Sequence, residues 1–365
     1  MIMPFERGGV TFSIFKLNNA WPEDALESFN AYRAGTLDSV KDDVQVGWTT
    51  GRCLLDSNLD ENSVIAGSCW YLNLRKAERK IPSSLLNAIC KREELVYMRA
   101  NELDFVPSKV KKEIKAEAIE QYLMKMPPAI AATPMVYDPA AKLLYLGTAS
   151  TKQIEDFIGF FYQTLTVEPL QVTPGTLLNE EFGKLETELP ILSLTDEECS
   201  DMTPGRDFLT YLWYLSETGA VTIEHPQYGE FEIMVEGPLV FASGDLAKGS
   251  GETAVKKGDL PQQSAEAKAA LAVGKKLKKA KVTLTRGEDI WSGTFDADKF
   301  VVSSLNLPEG EELEPDSRFA ERMQNILIFN EAWALCFKLY AQSMFDKFEE
   351  TSKALKEWAQ NRNSL

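Results

Sequence analysis

Apolar residues along the chain either alternate with polar ones or recur every three to four positions, and these two periods separate predicted strands from predicted helices. A strand rich in β-branched and aromatic residues is predicted at "GVTFSIFKL" (9–17). A helix is predicted at "WPEDALESFNAYRA" (21–34), which has a proline near its start and an acidic first turn. The apolar residues of "STKQIEDFIGFFYQTL" (150–165) also follow helical spacing. The first part of the chain is therefore predicted to be an α+β module.

Two further helices interrupt this module. The segments 81–102 and 107–126 each have a proline followed by serine at or next to their first residue, and both have helical patterning. They stand between a predicted strand at "AGSCWYLNLRK" (66–76) and two short strands in "PMVYDPAAKLLYLGT" (134–148). The order of these segments predicts an inserted αα-hairpin.

The second part of the chain combines hairpins with helices. Strands are predicted as one hairpin within 219–243 and another in "KVTLTRGEDIWSGTF" (281–295). Between them, "SAEAKAALAVGKKLKKA" (264–280) is predicted to be a helix capped by Ser264. The chain closes with a long helical region at 317–360, of which residues 322–345 are apolar over so much of the circumference that they must be largely buried. We expect the chain's own core to bury this region, and burial against a second subunit is the alternative.

The predicted class is a multidomain α+β protein with antiparallel sheets, the inserted helical hairpin and a long C-terminal helical region. We expect four units, which are listed by residue number: a central α+β domain (1–77 and 131–172), an inserted helical tip (78–130), a second α+β domain (173–345) and a helical tail (346–365).

The amino-acid composition argues against several classes of protein. The 365 residues are 44% hydrophobic and contain no apolar run long enough for a membrane span, and the start lacks the pattern of a signal peptide. We therefore expect a cytoplasmic protein without a membrane partner. Five widely spaced cysteines and one histidine predict neither a disulfide framework nor a zinc site, and no phosphate-binding glycine loop occurs. No cofactor and no metal site are expected.

Charge is distributed unevenly. The net charge is −16, yet residues 246–286 hold ten basic residues against three acidic ones. In the predicted helix, Lys268, Lys275 and Lys279 fall on one face, opposite Ala270 and Val273. A solvated helix face would explain this pattern, and a phosphate-facing surface is the alternative. The candidate DNA contacts in this basic run are Lys268, Lys275, Lys276, Lys278, Lys279, Lys281 and Arg286.

A second basic region spans the inserted hairpin. It is interleaved with acids, so that pairing between neighbouring turns of a helix is its alternative explanation. The candidate DNA contacts in this region are Arg75, Lys76, Lys109, Lys111, Lys112, Lys115 and Lys125.

Catalytic chemistry has little support. The acids of "DEEC" (196–199) and "EGEELEPD" (309–316) could hold Mg²⁺ in a nuclease. They stand in polar stretches typical of solvated loops, without the strand-borne spacing of such sites. We assign no catalytic residue.

Several segments, taken in order, resemble the recombination-associated RdgC family of bacterial DNA-binding proteins, which are also catalogued as exonucleases. The resemblance runs over most of residues 9–340, and the segments that carry it are "VGW" (46–48), "ERKIPSSLLNA" (78–88), "KKEIKAEAIEQYLMKMPPA" (111–129), "LLYLGTASTKQIEDF" (143–157), "GRDFLTYLW" (205–213), "GKKLKKAKVTL" (274–284) and "RFAERM" (318–323).

This resemblance implies a non-catalytic homodimer closed into a ring, with duplex DNA passing through a basic hole largely independently of sequence. It also implies a dimer gate after the second inserted helix, which corresponds to Met126, Pro127, Pro128 and Ile130. This chain has Lys125 and Ile130 where the family carries arginine and phenylalanine.

The predicted function is thus sequence-independent binding of double-stranded DNA by a nucleoid-associated homodimer acting in recombination or replication. Recombination proteins are candidate further partners. Two alternatives from other classes stay open: a metal-dependent exonuclease, and an interaction protein whose lysines bind an acidic partner.

Overall fold

The structure is a computed structural model of the chain. It describes residues 4–195, 201–219, 222–243, 251–255, 261–312 and 314–361.

Thirteen strands lie within these described residues. In chain order they are β1 (Val10–Leu17), β2 (Gln45–Thr50), β3 (Ile65–Ala66), β4 (Cys69–Glu78), β5 (Ala129–Asp138), β6 (Leu143–Leu146), β7 (Pro169–Gln171), β8 (Thr222–His225), β9 (Gly229–Ala242), β10 (Glu252–Val255), β11 (Lys276–Arg286), β12 (Asp289–Asp296) and β13 (Val301–Asn306).

Ten α-helices lie in the same ranges. They are α1 (Ala25–Ala31), α2 (Glu61–Val64), α3 (Ser83–Ala100), α4 (Ser108–Tyr122), α5 (Thr151–Leu165), α6 (Pro174–Phe182), α7 (Pro204–Thr218), α8 (Ala265–Ala272), α9 (Pro315–Asp346) and α10 (Phe348–Asn361).

The described strands form one antiparallel sheet. Its order is β10-β9-β11-β12-β13-β1-β6-β5-β4-β2, with β3, β7 and β8 paired at the side of β4, β1 and β9 respectively. The predicted α+β class, the antiparallel pairing and the helical C-terminal region are confirmed. The predicted domain boundaries stay a prediction.

Strand β1 joins the two halves of the sheet. One of its edges pairs with β6 from Ser13 to Lys16. The other edge pairs first with β13, where Phe12 lies opposite Val302, and then with β7. Because side chains alternate between the faces of a strand, Phe12 enters one hydrophobic core and Phe15 the other.

The two cores lie on opposite sides of this strand. The smaller core packs α1 and α5 on the half-sheet of β2, β4, β5 and β6, and it includes Phe29, Trp48 and Phe157. Trp48 donates its indole N–H to Thr164 at 2.9 Å, so the largest side chain of this core is also hydrogen-bonded. The larger core lies under β9, β11, β12 and β13 and is covered by α6 to α10.

The inserted hairpin is confirmed as α3 and α4 between β4 and β5. These strands pair with each other along their length, from Trp70 opposite Tyr137 to Glu78 opposite Ala129. The two helices therefore leave the sheet from one end of a paired β4–β5 ladder. The buried apolar side chains of the helices are few: Ile89, Ile114 and Ala118.

The predicted helix at 264–280 is wrong in its second half. Ser264 does cap a helix, since its hydroxyl accepts the N–H of Ala267 at 3.1 Å, but α8 ends at Ala272. Gly274 then adopts a φ of 82°, a conformation that favours glycine and turns the chain. From Lys276 the chain is strand β11, held between β9 and β12. The lysines predicted on one helix face are therefore divided between α8, a turn and a strand.

The long terminal region consists of α9 and α10, with a break at Lys347. Its apolar residues are buried against the chain's own core, among them Phe329, Trp333, Phe337 and Tyr340. The favoured prediction is thus confirmed, and this region no longer argues for a subunit contact.

The helices and cysteines of the structure bear on the predictions about membrane spans and disulfides. Within the described ranges, no helix combines the length and the apolar character that crossing a bilayer requires. The four described cysteines are free thiols, of which Cys69 and Cys336 are buried while Cys53 is exposed. Cys199 lies outside the described residues.

A buried ion pair connects α7 to β11. Lys276 and Asp207 are only 5% and 2% exposed, and Lys276 Nζ lies 2.5 Å from Asp207 Oδ1. The second carboxylate oxygen accepts the N–H of Leu192 at 3.1 Å. Burial raises the pKa of Asp207, while Lys276 and the hydrogen bonds act in the opposite direction. The pair is consequently a structural element of the core.

Replacing Lys276 by methionine should lower the free energy of unfolding by about 3–5 kcal/mol, because Asp207 would stay buried without its cation. Urea unfolding measures the change. The matched control is Lys281→Met, whose partner Glu236 lies 3.0 Å away at a half-exposed site. That control should cost less than about 1 kcal/mol. Equal losses in both variants would contradict the structural role of the buried pair.

Candidate nucleic-acid interface

The basic run predicted to contact DNA is largely neutralised by acids from other elements. Lys279 Nζ lies 2.8 Å from Asp296, and Lys281 Nζ lies 3.0 Å from Glu236. Arg286 pairs with Asp289 at 2.7 Å. Since these acids stand outside the run or beyond its end, the local excess of positive charge in the sequence does not persist in the fold.

Lys278 is the most strongly paired cation of β11. Its ammonium contacts Glu252 at 2.5 Å and Asp298 at 3.5 Å. The hydrogen bond between Lys278 and Glu252 raises the pKa of the lysine and lowers the pKa of the carboxyl. A phosphate would have to replace existing carboxylates here, so that little net attraction is left.

The remaining cations of this run differ from one another. Lys276 is in the buried pair with Asp207 and cannot reach a phosphate, which corrects its prediction as a DNA contact. Lys275 donates to the hydroxyl of Thr253 at 2.8 Å. Lys268 is half-exposed on α8.

The structure also contradicts the prediction that Arg75 contacts DNA. Its side chain is buried, and its guanidinium donates to the backbone carbonyls of Leu54, at 3.0 Å, and of Gly35. It therefore ties loops to β4. Lys76, next in sequence, points to the opposite face of the strand, where it lines a groove of about 610 Å³ between the sheet and α5.

Helix α4 carries three exposed lysines of the second basic region that have no acid partner among the described residues. Relative to buried Ile114, and at 100° per residue, Lys111, Lys115 and Lys112 lie at about 60°, 100° and 160°. All three are exposed, and none forms an ion pair with a described residue. The acids of this helix fall on its other side: Glu113, Glu117 and Glu120. One side of α4 is thus a cationic face, defined here as Lys111, Lys112 and Lys115.

Further cations stand near the ends of the hairpin. Lys109 lies 3.9 Å from Glu113, but both side chains are exposed, so this pair contributes little. Lys125 lies over the ring of Tyr122, with Nζ 4.5 Å from its centre. The hydroxyl of the same tyrosine accepts from Arg92 at 3.1 Å. Sequence reasoning missed Tyr122, although its position one turn before Lys125 is the signal that could have found it.

The predicted gate follows the hairpin directly. Met126 is held by its carbonyl, which accepts from Arg79, while Pro127 is exposed and Pro128 half-buried. Ile130 is exposed at the start of β5. β6 covers β5 only from Met135 onwards, so the outer edge of β5 beside Ile130 has no partner strand among the described residues. The segment is therefore accessible.

Two of the predicted metal-binding acids have other roles, and those at 196–198 lie outside the described residues. Glu314 accepts the N–H groups of Asp316 and Ser317 at 2.9 Å and caps α9. Asp316 pairs with Arg52. No cluster of three metal-ligand side chains occurs within the described ranges, and Asp196 to Cys199 fall outside them.

Comparison with known protein families finds a match for part of the chain. Residues 11–180 match a family model described as "Putative exonuclease, RdgC". The matched segment includes the whole α3–α4 hairpin and ends before β11. No curated protein matches the chain. Over residues 11–180, the chain is therefore similar to the RdgC family.

Proposed function

We propose that this protein binds double-stranded DNA without sequence preference, as a ring-forming homodimer that acts in recombination by occupying DNA. The observation that carries the proposal is the cationic face of α4, where three exposed lysines lack carboxylate partners among the described residues. Phosphates bind such lysines with release of counterions, and they need no base-specific contact.

The cationic face of α4 is favoured over β11 for a physical reason. A lysine that already contacts a carboxylate gains little from a phosphate, because one anion only replaces another. Lys279 and Lys281 are in this position, whereas Lys111, Lys112 and Lys115 are not. A protein with a net charge of −16 also requires local separation of charge to attract DNA, and α4 provides it by placing its acids on the other side.

The family match supports the same location. Its range contains the hairpin and the gate segment but not the lysines of β11. The proposed homodimer would bring two such hairpins together, with Met126, Pro127, Pro128 and Ile130 at the contact between copies.

A second candidate function is favoured by the printed family description, which names an exonuclease. A metal-dependent nuclease needs two or three acids around Mg²⁺. Of the acids at 309–316, Glu314 caps α9 and Asp316 pairs with Arg52, while Asp196 and Glu197 lie outside the described residues. An interaction protein with an acidic partner is the third candidate, and it predicts that bulk duplex DNA does not compete for the lysines.

Replacing Lys111, Lys112 and Lys115 by glutamine should flatten the slope of log K against log salt by about 2–3, since each lost phosphate contact removes about 0.9. At about 0.1 M salt the affinity for unrelated duplexes should fall by roughly 50–500-fold, and equally for each sequence. Glutamine preserves helix propensity, which circular dichroism checks. A titration by fluorescence anisotropy at several salt concentrations gives both quantities.

The matched control for this experiment is Lys278→Gln, Lys279→Gln and Lys281→Gln, which removes three charges that already have partners. It should change the salt slope by less than about 1. If this control lost as much affinity as the α4 variant, or if the α4 variant bound normally, the assignment to α4 would be incorrect.

Purified protein should leave a labelled duplex intact in the presence of Mg²⁺, because occupying DNA requires no bond cleavage. Release of labelled nucleotides measured over hours is the assay. Degradation that disappears in Asp196→Ala or Glu197→Ala would establish the nuclease and replace the present proposal.

In solution the protein should have twice the 40.9 kDa mass of one chain. Ile130→Asp should shift it towards the monomer, because a carboxylate in an apolar contact between copies is left unpaired. Light scattering at micromolar concentration measures the mass. Wild-type protein that scatters only as a monomer would contradict the homodimer.

A further inference from the structure

Helix α3 exposes an aliphatic face that no described element covers. The apolar side chains on it are Leu85, Leu95 and Val96, which are 40%, 41% and 55% exposed. Taking buried Ile89 as the origin, they lie at about −40°, −120° and −20° on the helical wheel. The side of α3 that packs on α4 includes Ile89 and the half-buried Tyr97. The exposed aliphatics therefore form a second apolar side, facing away from the hairpin's own contact.

Two arginines stand in the middle of this side. Arg92 and Arg99 lie at about −60° and −80°, between the aliphatic residues, with Ala88 beside them at about −100°. The acids of α3 lie elsewhere, since Glu93 and Glu94 fall at about 40° and 140°. We define the α3 face as Leu85, Ala88, Arg92, Leu95, Val96 and Arg99. Its only charges are positive.

The two arginines are differently held. Arg92 donates to Glu93 at 2.6 Å and to the hydroxyl of Tyr122. Arg99 has no ion pair or side-chain hydrogen bond with a described residue. The guanidinium of Arg99 is surrounded by exposed aliphatic side chains. It is therefore suited to bind a carboxylate of a partner whose apolar residues cover those side chains.

This arrangement fits a protein partner better than a membrane or DNA. A membrane-surface helix keeps charges at the margins of its apolar side, whereas here they are central. A DNA-binding surface needs no exposed leucine and valine, which gain nothing from phosphates. Arginine among aliphatic residues is the composition of a protein interface.

The charges also argue against a second copy packed on the same face. Two α3 helices related by a twofold axis at Arg99, which has no partner among the described residues, would place Arg99 of one copy beside Arg99 of the other. Like charges opposed in an apolar contact are destabilising. An occupant with an acid at that position is complementary instead.

We propose that the α3 face docks an amphipathic helix of another, acidic protein, whose apolar stripe covers Leu85, Leu95 and Val96 and one of whose carboxylates pairs with Arg99. This is the helix-on-helix recognition in which residues spaced i, i+3, i+4 and i+7 serve as anchors. The interaction goes beyond DNA binding and uses a different helix, so each can fail without the other.

The test uses a labelled synthetic helix of about 18 residues with leucines at i, i+4, i+7 and i+11 and two glutamates beside them. Full-length protein is titrated against it by fluorescence anisotropy, and the same peptide with lysines in place of the glutamates is the comparison. We expect the glutamate peptide to bind at least about tenfold more tightly than the lysine peptide, which corresponds to the loss of a charge-assisted contact.

Two variants of the protein separate the contributions. Leu95→Gln with Val96→Gln should weaken binding of the glutamate peptide at least about tenfold, while glutamine keeps the helix formed. Arg99→Glu should reverse the preference between the two peptides. The control is Met234→Gln, an equally exposed apolar residue on β9, which should change neither affinity. The glutamine variant of Lys111, Lys112 and Lys115 should also bind the peptide normally.

Four results would overturn the proposal. Neither peptide binds the wild-type protein. A short duplex displaces the peptide and loses affinity itself in the Leu95 and Val96 variant, which would assign the face to DNA. The same variant changes the mass of the protein in light scattering, which would assign it to a contact between copies. Vesicles of anionic lipid compete for the face, which would assign it to a membrane surface.

Discussion

The hydrogen-bonded pairing of β1 on both of its edges is the constraint on which the rest of the structure depends. One edge is paired with β6 and the other with β13 and β7, so that a strand of eight residues joins both halves of the sheet. The same strand supplies Phe12 to the larger core and Phe15 to the smaller one. A shift of one residue in its register would exchange these side chains between the cores. The half-sheet with α1 and α5 and the half-sheet with α6 to α10 are thereby held in one arrangement.

Electrostatic pairing then decides which cations of the surface are available to a ligand. β11 lies beside β9 and β12, and these strands bring Glu236 and Asp296 to its lysines. α7 brings Asp207 to Lys276 at the end of the same strand. The cations of the densest basic run in the sequence thus mainly form ion pairs within the larger half-sheet. The acids of α4 fall on the side of the helix away from Lys111, Lys112 and Lys115, which is why the charge of these lysines remains available.

The hairpin carries two chemically distinct surfaces. The cationic face of α4 is suited to phosphates, and the α3 face, with its aliphatic residues and arginines, is suited to a protein. Few of the apolar side chains of these helices are buried, so the hairpin is stabilised mostly where α3 and α4 pack on each other. The hairpin can expose both surfaces because the β4–β5 ladder holds its base in place. It does not depend on a packed core around it.

Much of the local structure was determined by the sequence alone. Proline and serine at the starts of α3 and α4, the cap at Ser264 and the alternation in β1 each act over a few neighbouring residues, which is the range that pattern analysis covers. The same analysis extended α8 through Lys275 to Ala280, because lysine and alanine favour a helix and the pairing of β11 with β9 and β12 is formed by residues distant in sequence. It also predicted that Arg75 and Lys276 contact DNA. Only the tertiary structure decided that these two are buried and that Lys278, Lys279 and Lys281 have carboxylate partners, because the partners come from strands, helices and loops that the sequence alone does not bring together.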